Sequence, residues 1–419
     1  MPARNIQTRQ SNPRTAPAWR PLVSNGFRKV TTKRRCRICH KVDWCGYSTD
    51  ERTSICMRVS DGAKGTARNG GNIHVHHDAL LTYSPRNKTT VAPPSIEISP
   101  IEIRDTVYRE LIRISPAQKY HRHLVDGADG LLSRGLLEGE TRNYGALPPT
   151  QKERAQLAQQ LRQFVIDKFP EYARRNLYAG VVGIPGFWQD TNGIVQLWKP
   201  REYKMPMLVI PYKDNHGRIQ ACQLRLHRGD ISQGEKRYRW LASPLERHGC
   251  SSGTPIHFTF RPSILSHGKT VLITEGALKA ETLVSLRPQV RAIATSGVRC
   301  SHAELIGAAR AYNALIAFDS DHKTNPAVCR QLARLIGARE QDAANQNMST
   351  TTRIVSWEGY KGIDDAVKAE RVPFTTLSIT EWFATLKGDP LDEVNKVWNE
   401  IGYLPDNHLA VLPSNHYRP

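Results

Sequence analysis

The sequence contains no long apolar segment. No hydrophobic run approaches the ~20 residues that a membrane-spanning helix needs. The N-terminus also has no apolar core of the kind that a signal peptide carries. We therefore expect no membrane partner. Hydrophobic residues make up 39% of the 419-residue chain, which is enough for a sizeable core divided among several domains.

A complete phosphate-binding loop is also missing. Residues 268–270, Gly-Lys-Thr, match the end of the G-x-x-x-x-G-K-[ST] motif, but position 263, where the motif requires Gly, is Ser. The Lys-Thr pair also precedes an apolar run typical of a strand, whereas in the motif it opens a helix. These two departures exclude an ATPase site of this type, and with it a built-in helicase motor.

Acidic residues are missing from residues 1–35, which carry nine Lys or Arg. This composition predicts a disordered basic arm, which either contacts nucleic acid or only aids solubility. The whole chain has a net charge of +20. Such a charge favours a polyanionic partner, because Lys and Arg that neutralise phosphates release counterions.

Cysteine is sparse outside one region, since four of the eight cysteines fall between positions 36 and 56. Cys36 and Cys39 form a C-x-x-C pair and Cys56 follows, a pattern typical of structural zinc. A second C-x-x-C pair is absent because position 59 is Val. The fourth ligand is therefore His74 or Cys45. We favour His74, because a strand residue such as Cys45 can point into the small core. The sequence predicts a β zinc ribbon over residues 36–78 that needs Zn²⁺ to fold.

The middle of the chain changes from a linker to mixed structure. Residues 79–105 contain four prolines among Ser and Thr and are expected to form a linker. From 106 to 265, helical patterns give way to alternating apolar and polar residues around a turn at 215–217, which predicts a β-hairpin. The following EKRYRW interleaves cations with aromatic residues. That pattern is typical of a nucleic-acid or nucleotide groove, although a solvated strand face has the same composition.

Three short apolar runs, VLIT, AIAT and ALIAF, alternate with segments of helical spacing between residues 271 and 321. A fourth run, RIVSW, follows further along. Runs of this length are typical of strands buried on both faces, and their alternation with helices predicts a Rossmann-like parallel sheet. Functional sites in such sheets lie at the carboxyl ends of the strands. Beyond residue 371 the pattern predicts helices and then a loose tail, over 371–419.

Acidic residues follow these predicted strands. Glu275, Asp319 and Asp321 come directly after the first and third runs, and Asp364 comes after the fourth. Carboxylates that converge without local bases repel one another unless protons or a divalent cation intervene. Oxygen ligands suit Mg²⁺ or Mn²⁺, and two such ions ~3.5–4 Å apart serve phosphodiester chemistry. For any one of these acids, a helix cap or an ordinary loop position is the alternative interpretation.

The order of these motifs resembles a TOPRIM domain, the metal-binding module shared by bacterial-type primases, topoisomerases and some nucleases. TEGALKAETL, ATSGV and FDSD resemble its Glu-Gly, central Gly and Asp-x-Asp motifs, and KGIDD is similar to the final acidic segment of primases. Upstream, LLSRGLLEGE resembles the Arg-Gly-Leu segment that opens the bacterial primase polymerase core. With the zinc ribbon in front, residues 36–370 are similar to the primase-like proteins of phages and mobile elements.

The resemblance implies a multidomain α/β protein: a zinc ribbon, an α+β basic subdomain at 106–265 and a TOPRIM domain at 266–370. It also implies a DNA primase that makes short primers from nucleoside triphosphates on single-stranded DNA. Such a primase would serve a phage, plasmid or mobile element in the bacterial cytoplasm. Glu275, Asp319 and Asp321 would bind catalytic Mg²⁺ or Mn²⁺, with Asp364 assisting. The residues expected to bind nucleotide or template are Arg225, Lys236, Tyr238, Arg239 and Lys279, with Arg237 an insertion relative to the family pattern.

Two other functions stay open. One is a TOPRIM nuclease that cuts DNA with the same metals, and the other is a non-catalytic DNA-binding replication or mobilisation factor. The intact acidic set argues against the inert factor, and the basic segment before it favours a polymerase over a nuclease. The residues after Asp321, HKTNP, depart from the Ala-Gly turn usual in cellular primases. No helicase segment follows, so we expect any unwinding partner to be a separate chain.

Overall fold

In the computed structural model the chain divides into two units, residues 1–92 and 93–419. The structure describes residues 27–75 apart from 33, 43–44, 50–52, 60–62, 64 and 67–71, and residues 97–403 apart from 177–179, 200, 233–234 and 262–268. Most of the predicted basic arm and linker and the predicted loose C-terminal tail lie outside the described residues. Within these ranges, no helix combines the length and apolarity required to cross a membrane.

The first unit is an antiparallel sheet in the order β1-β2-β3-β5-β4. Its strands are β1 (Phe27–Lys29), β2 (Gly46–Ser48), β3 (Thr53–Cys56), β4 (Gly65–Thr66) and β5 (Asn72–Val75). β2 and β3 pair as an antiparallel hairpin. Among the described residues, the buried apolar core of this unit consists of one valine and three cysteines: Val30, Cys36, Cys45 and Cys56.

The second unit begins with helices packed on a four-stranded antiparallel sheet in the order β11-β10-β9-β6, beside a β7-β8 hairpin. The helices are α1 (Ile101–Ile114), α2 (His121–Leu124), α3 (Gln151–Lys168) and α4 (Pro170–Arg175). The strands are β6 (Gly145–Leu147), β7 (Phe187–Gln189), β8 (Val195–Leu197), β9 (Met207–Lys213), β10 (Ile219–Arg225) and β11 (Tyr238–Trp240). The turn between β9 and β10 confirms the predicted hairpin, and Gly217 supplies the positive φ of +80° that it requires.

Local capping and apolar spacing explain the long helices of this part. The Thr150 hydroxyl accepts a hydrogen bond from the Glu153 amide at 3.3 Å, which fixes the start of α3. Val107 and Leu111 on α1, four positions apart, are fully buried, as is Leu161 on α3. All three belong to one hydrophobic cluster with residues of β9 and β10. α1 therefore covers one face of the four-stranded sheet, and α3 packs against α1 and the β7–β8 hairpin.

A six-stranded sheet follows, in the order β12-β14-β13-β15-β16-β17. Its strands are β12 (His257–Phe258), β13 (Thr270–Glu275), β14 (Ala292–Thr295), β15 (Asn313–Ile316), β16 (Thr352–Ser356) and β17 (Thr375–Leu377). Its helices are α5 (Ala277–Leu286), α6 (His302–Ala309), α7 (Pro326–Asn345), α8 (Ile363–Lys368), α9 (Ile379–Ala384) and α10 (Asp389–Ile401). The four inner strands are parallel and the two edge strands antiparallel. The predicted mixed α/β class, with a parallel-stranded sheet and an N-terminal β module, is confirmed.

The strand order places a crevice at one edge of this sheet. From β13 the chain passes to β14 on one side, and β15 then lies on the other side of β13. Connections that leave two adjacent strands in opposite directions open a crevice at their carboxyl ends. Gly276, with a φ of +87°, makes the sharp turn from β13 into α5 at this place. Side chains that follow β13 and β15 are therefore brought together.

Candidate active site and metal centre

Three of the predicted acidic residues meet at this crevice. Glu275 is the last residue of β13. Asp319 and Asp321 lie just beyond β15, the second of them in a 3-10 turn over Ser320–Lys323. The Lys279 ammonium contacts Asp319 Oδ1 and lies 3.6 Å from Glu275 Oε1, so one cation joins the ends of the two strands. The structure thus brings together residues that the sequence places on separate strands.

Two lysines lie among these carboxylates, although the sequence suggested that the acids would meet without local bases. Lys279 is on the first turn of α5 and its side chain is only 13% exposed. Lys361 is 71% exposed, and its Nζ lies 3.7 Å from Asp319 Oδ2 and 3.7 Å from Asp321 Oδ2. Nearby positive charge favours the ionised form of a carboxylate. Lys279 is a predicted nucleotide-binding residue whose ammonium group is here paired with acids.

Burial and charge act in opposite directions on this cluster. Burial raises the pKa of Glu275 to about 7; the Lys279 ammonium opposes this rise, and the Asp319 and Asp321 carboxylates add to it. Burial acts to lower the pKa of Lys279, but Glu275 and Asp319 outweigh it, so that the net shift is upward. The lysine is therefore held in its charged form between Glu275 and Asp319.

Asp321 is the carboxylate with a spare ligand atom. Its Oδ2 accepts a hydrogen bond from Asn325 Nδ2 at 3.2 Å, and the Asn325 side chain also caps α7. Its Oδ1 is buried and has no hydrogen-bond partner among the described residues. A buried oxygen of this kind is costly unless a cation or a donor satisfies it. A set of carboxylate oxygens with one orphaned member fits Mg²⁺ or Mn²⁺.

Asp364 lies at the border of this cluster and is neutralised by an arginine. It is 2% exposed, and its Oδ2 accepts a hydrogen bond from Arg134 Nη2 at 2.6 Å. Burial acts to lower the pKa of Arg134, but the Asp364 carboxylate contributes most to a net rise. The Lys368 ammonium also donates to the Ser133 carbonyl, next to Arg134. The segment LLSRGLLEGE is thus tied to α8 beside the acidic cluster.

A tight turn before Arg134 sets its position, and the turn depends on Gly130. A Cβ at this glycine would lie 2.1 Å from the Val125 carbonyl oxygen and 2.8 Å from the Gly127 nitrogen. We expect Gly130→Ala to lower the free energy of unfolding by about 1–3 kcal/mol, because the backbone must shift to admit the methyl group. Chemical denaturation measures this. A Cβ at Gly139 meets nothing within 4 Å, so Gly139→Ala is the control and is expected to change stability little.

Arg225 is a buried arginine at the end of the longest hairpin of the four-stranded sheet. It ends β10, is 4% exposed, and its Nη1 has no hydrogen-bond partner within the described part of the chain. Burial lowers its pKa to about 10; Tyr238 and Asp129 oppose this, and the charges of Arg134 and Arg237 add to it. Arg225 and Arg134 therefore form a cationic strip that runs up to Asp364. Such a strip is suited to a polyanion that supplies the missing acceptors.

The other predicted basic and aromatic residues divide between the two faces of the sheet. Tyr238 pairs directly with Arg225 across β10 and β11, so both share one face. Arg239, the next residue, lies on the opposite face, where its Nη1 is 3.4 Å from Glu235 Oε1. Lys236 is exposed just before β11. The structure therefore brings Tyr238 to Arg225 and separates Arg239 from them.

Four cysteines form a second candidate metal centre in the N-terminal unit. The Sγ atoms of Cys36, Cys39, Cys45 and Cys56 all lie within 4.8 Å of one another, and those of Cys39 and Cys45 are 3.6 Å apart. Tetrahedral Zn–S bonds of about 2.3 Å place sulfurs ~3.8 Å apart. The amides of Met57 and Val59 donate to Cys45 and Cys56 at 3.4 and 3.3 Å, as thiolate ligands require. The four-cysteine group fits structural zinc.

The preferred fourth zinc ligand, His74, is corrected in favour of the alternate, Cys45. His74 is buried, but its Nε2 is hydrogen-bonded to the Val59 carbonyl at 2.9 Å, and the histidine is not part of the sulfur group. Cys45 lies immediately before β2, and not within it, so its side chain is free to turn towards the other cysteines. The four-cysteine set also supplies four anionic ligands of one kind.

Sequence reasoning missed three residues of these sites. Arg134 is the arginine of the Arg-Gly-Leu segment and Lys361 begins the KGIDD segment, but the sequence assigned neither of them a role. Arg237, treated as an insertion, lies 3.1 Å from Asp129 and contributes to the charge around Arg225. Each of the three is a basic residue inside a segment that resembles the family pattern, which could have marked it as functional. Its acidic partner lies far away in the sequence in every case, so the pair could not be identified from the sequence.

No protein-family model and no curated protein matches the sequence. Solved structures that are similar include bacterial primases. A DNA primase domain from Pseudomonas aeruginosa is 16% identical, over 65% of this chain and 75% of its own, with a TM-score of 0.45. The zinc-binding and RNA polymerase domains of the Aquifex aeolicus primase are 13% identical, over 89% of this chain and 86% of theirs, with a TM-score of 0.45.

The RNA polymerase domain of the Mycobacterium tuberculosis primase is also 13% identical, over 74% of this chain and 94% of its own, with a TM-score of 0.44. All three are bacterial primase domains, the kind of protein that the sequence motifs resemble. The case for a function rests on this chain's own side chains.

Proposed function

We propose that this chain is a metal-dependent DNA primase, which joins a nucleotide 3′-hydroxyl to an incoming triphosphate on single-stranded DNA and releases pyrophosphate. The observation that supports this best is the meeting of Glu275, Asp319 and Asp321 at two parallel strand ends. Arg134, which pairs with Asp364, also acts electrostatically on Arg225, whose buried Nη1 has no hydrogen-bond partner among the described residues. A site for a polyphosphate needs acidic groups that hold cations, and it needs a cationic donor for the phosphate oxygens. The three acids and Arg225 would supply these two functions.

In this proposal Glu275, Asp319 and Asp321 hold Mg²⁺ or Mn²⁺. When bound, such an ion neutralises charge on the phosphate oxygens of the substrate. Asp364 assists indirectly, because it orients Arg134 through their 2.6 Å hydrogen bond. Lys361, exposed at the rim of the acidic cluster, adds positive charge where phosphates enter. Catalysis of this kind consists mainly of positioning and charge neutralisation, which these residues supply.

Arg225, Arg134 and Tyr238 are proposed to bind the triphosphate or the template, with the exposed Lys236 at the edge. Arg225 has the strongest physical reason to take part, since a phosphate would satisfy guanidinium hydrogen-bond donors that the described protein leaves free. The four-cysteine zinc module is proposed to hold single-stranded template. The predicted domain boundaries, at 36–78, 106–265 and 266–370, stay part of this proposal.

The proposed function also implies a cellular setting and a template. A primase of this type would act on the single-stranded DNA of a phage, plasmid or mobile element in the bacterial cytoplasm, with a separate helicase as a possible partner chain. A nuclease would use the same three acids but has no need of a buried arginine for a triphosphate. That difference favours synthesis over cutting.

The deciding experiment compares the wild type with Asp319→Asn on circular single-stranded DNA with labelled nucleotides and Mg²⁺ or Mn²⁺. Short labelled oligomers made by the wild type and absent with the variant support the primase. Cut circles without oligomers would establish the nuclease in its place. DNA binding by both proteins without either product would establish the non-catalytic factor. A control with ribonucleotides and deoxynucleotides offered separately identifies the substrate.

A further inference from the structure

The charge balance of the acidic cluster bears on how many divalent ions it can hold. Four carboxylates, those of Glu275, Asp319, Asp321 and Asp364, lie at or beside the crevice. Each of them has a cationic side chain within 4 Å, supplied by Lys279, Lys361 or Arg134. Even with all four carboxylates counted as ionised, the protein's own side chains leave only about one net negative charge, which one divalent ion already exceeds.

Lys279 is the cation of this cluster that is least able to move away from the carboxylates. It lies on the first turn of α5, and its neighbours Leu278 and Ala280 are 3% and 0% exposed. The helix is thus anchored on both sides of the lysine. Its side chain is 13% exposed and contacts Asp319 while lying 3.6 Å from Glu275. The ammonium group stands between the two strand ends, where a cation shared by Glu275 and Asp319 would have to bind.

The Asp364 carboxylate is also already paired with a side chain of the protein. Its carboxylate is 2% exposed and is hydrogen-bonded to Arg134, so it offers no charge to a second ion. Asp321 differs, because its Oδ1 is buried without a partner among the described residues and its nearest lysine, Lys361, is largely exposed. The oxygens left for a metal therefore lie on the Asp319–Asp321 side of the cluster.

We propose that this site takes a single divalent cation, held by Asp321 and Asp319, and that the Lys279 ammonium permanently replaces the charge of a second ion between Glu275 and Asp319. This inference rests on the proposed function only for its choice of Mg²⁺ or Mn²⁺. Lys279 is then a positioning residue: it holds Glu275 and Asp319 together and sets the number of ions. Like charges at such short distances repel strongly in a partly buried site.

The test counts Mn²⁺ ions on the zinc-loaded full chain. Calorimetry and electron paramagnetic resonance are run on the wild type and on Asp319→Asn, and the difference defines the sites that depend on Asp319. We expect one such ion, with the spectrum of an isolated Mn²⁺. Two ions ~3.5–4 Å apart would be magnetically coupled. Two Asp319-dependent ions, or a coupled spectrum in the wild type, would overturn the proposal.

Two variants separate the roles of the lysines. Lys279→Met keeps the length of the side chain but removes its charge, and is expected to raise Mn²⁺ affinity at least about tenfold or to admit a second ion. Lys361→Met removes a lysine near the same aspartates that is 71% exposed, so solvent screening should keep its effect below about threefold. The proposal is contradicted if the two variants change Mn²⁺ affinity equally. It is also contradicted if Lys279→Met leaves Mn²⁺ affinity and ion number unchanged while its circular dichroism matches that of the wild type.

The outcomes also separate this inference from the proposed function. A wild type that binds one ion but makes no primers leaves the single-ion site in place and removes the primase. A wild type that makes primers with two coupled ions keeps the primase and removes the role of Lys279.

Discussion

Replacing Arg225 with methionine is expected to make the protein more stable and at least about 100-fold slower in primer synthesis. The side chain is 4% exposed, and its Nη1 has no hydrogen-bond partner within the described chain. Exchange of buried charged groups for apolar side chains of similar volume is often stabilising, by about 1–4 kcal/mol. Loss of one donor that stabilises charge in a reaction costs about 10²–10³ in rate.

Urea denaturation and a primer assay on the same preparation measure the two effects. Arg228→Met is the matched control: this arginine, three positions further on, is 71% exposed and lies 3.1 Å from Asp129. We expect it to change stability by less than about 0.5 kcal/mol and synthesis only slightly. A destabilised Arg225→Met protein would mean that the arginine supports the fold. A stabilised protein with unchanged synthesis would remove Arg225 from the proposed site.

Removal of zinc is expected to unfold the N-terminal unit while the second unit stays folded. The described core of this unit is Val30 with Cys36, Cys45 and Cys56, so the metal ligands are also most of its buried apolar residues. Without the ion, four thiols replace four metal bonds, and only Val30 and partly buried side chains such as Tyr47 and Met57 remain of the described core. Structural zinc contributes about 10–16 kcal/mol of apparent folding free energy in modules of this size. Limited proteolysis after chelation, with zinc content measured in parallel, records the loss.

Two single substitutions test which side chain completes the zinc site. Cys45→Ser is expected to lower zinc content and to expose residues 27–75 to protease. His74→Asn retains all four sulfurs and is expected to keep the ion, although the hydrogen bond to Val59 is altered. The reverse pattern, with zinc lost from His74→Asn and kept by Cys45→Ser, would restore the histidine as the ligand. A protein whose N-terminal unit stays protected after verified zinc loss would contradict the requirement for metal.

The four parallel inner strands of the six-stranded sheet were predictable because their determinants are local, whereas the short edge strands β12 and β17 were not predicted. Each inner strand is a short apolar run followed by a helical segment, and the predicted helix ALKAETLVSL coincides with α5, Ala277–Leu286. Once the strands are parallel, their carboxyl ends share one edge, and the meeting of Glu275 with Asp319 and Asp321 follows from topology alone. No distance between these side chains was needed to predict it.

The charge partners were not predictable, because they depend on packing between distant segments. Arg134 and Asp364 are 230 positions apart, and no periodicity links them. Lys279 is four positions from Glu275, but whether it faces the acids or solvent depends on how α5 sits on the sheet. The choice between Cys45 and His74 depended in the same way on the path of the chain near Val59. Sequence patterns specify which elements form, and long-range contacts decide which charges become neighbours.

The two edges of the six-stranded sheet have a consequence for behaviour at high concentration. β12 has two residues and β17 has three, and both run antiparallel to the parallel interior. Strands this short present few unpaired amide and carbonyl groups, so a second molecule has little on which to extend the sheet. The apolar strands β13 to β16, which alone would be prone to aggregate, are enclosed between them. The two short edge strands thus lower the tendency of the apolar inner strands to self-associate when the protein accumulates at high concentration.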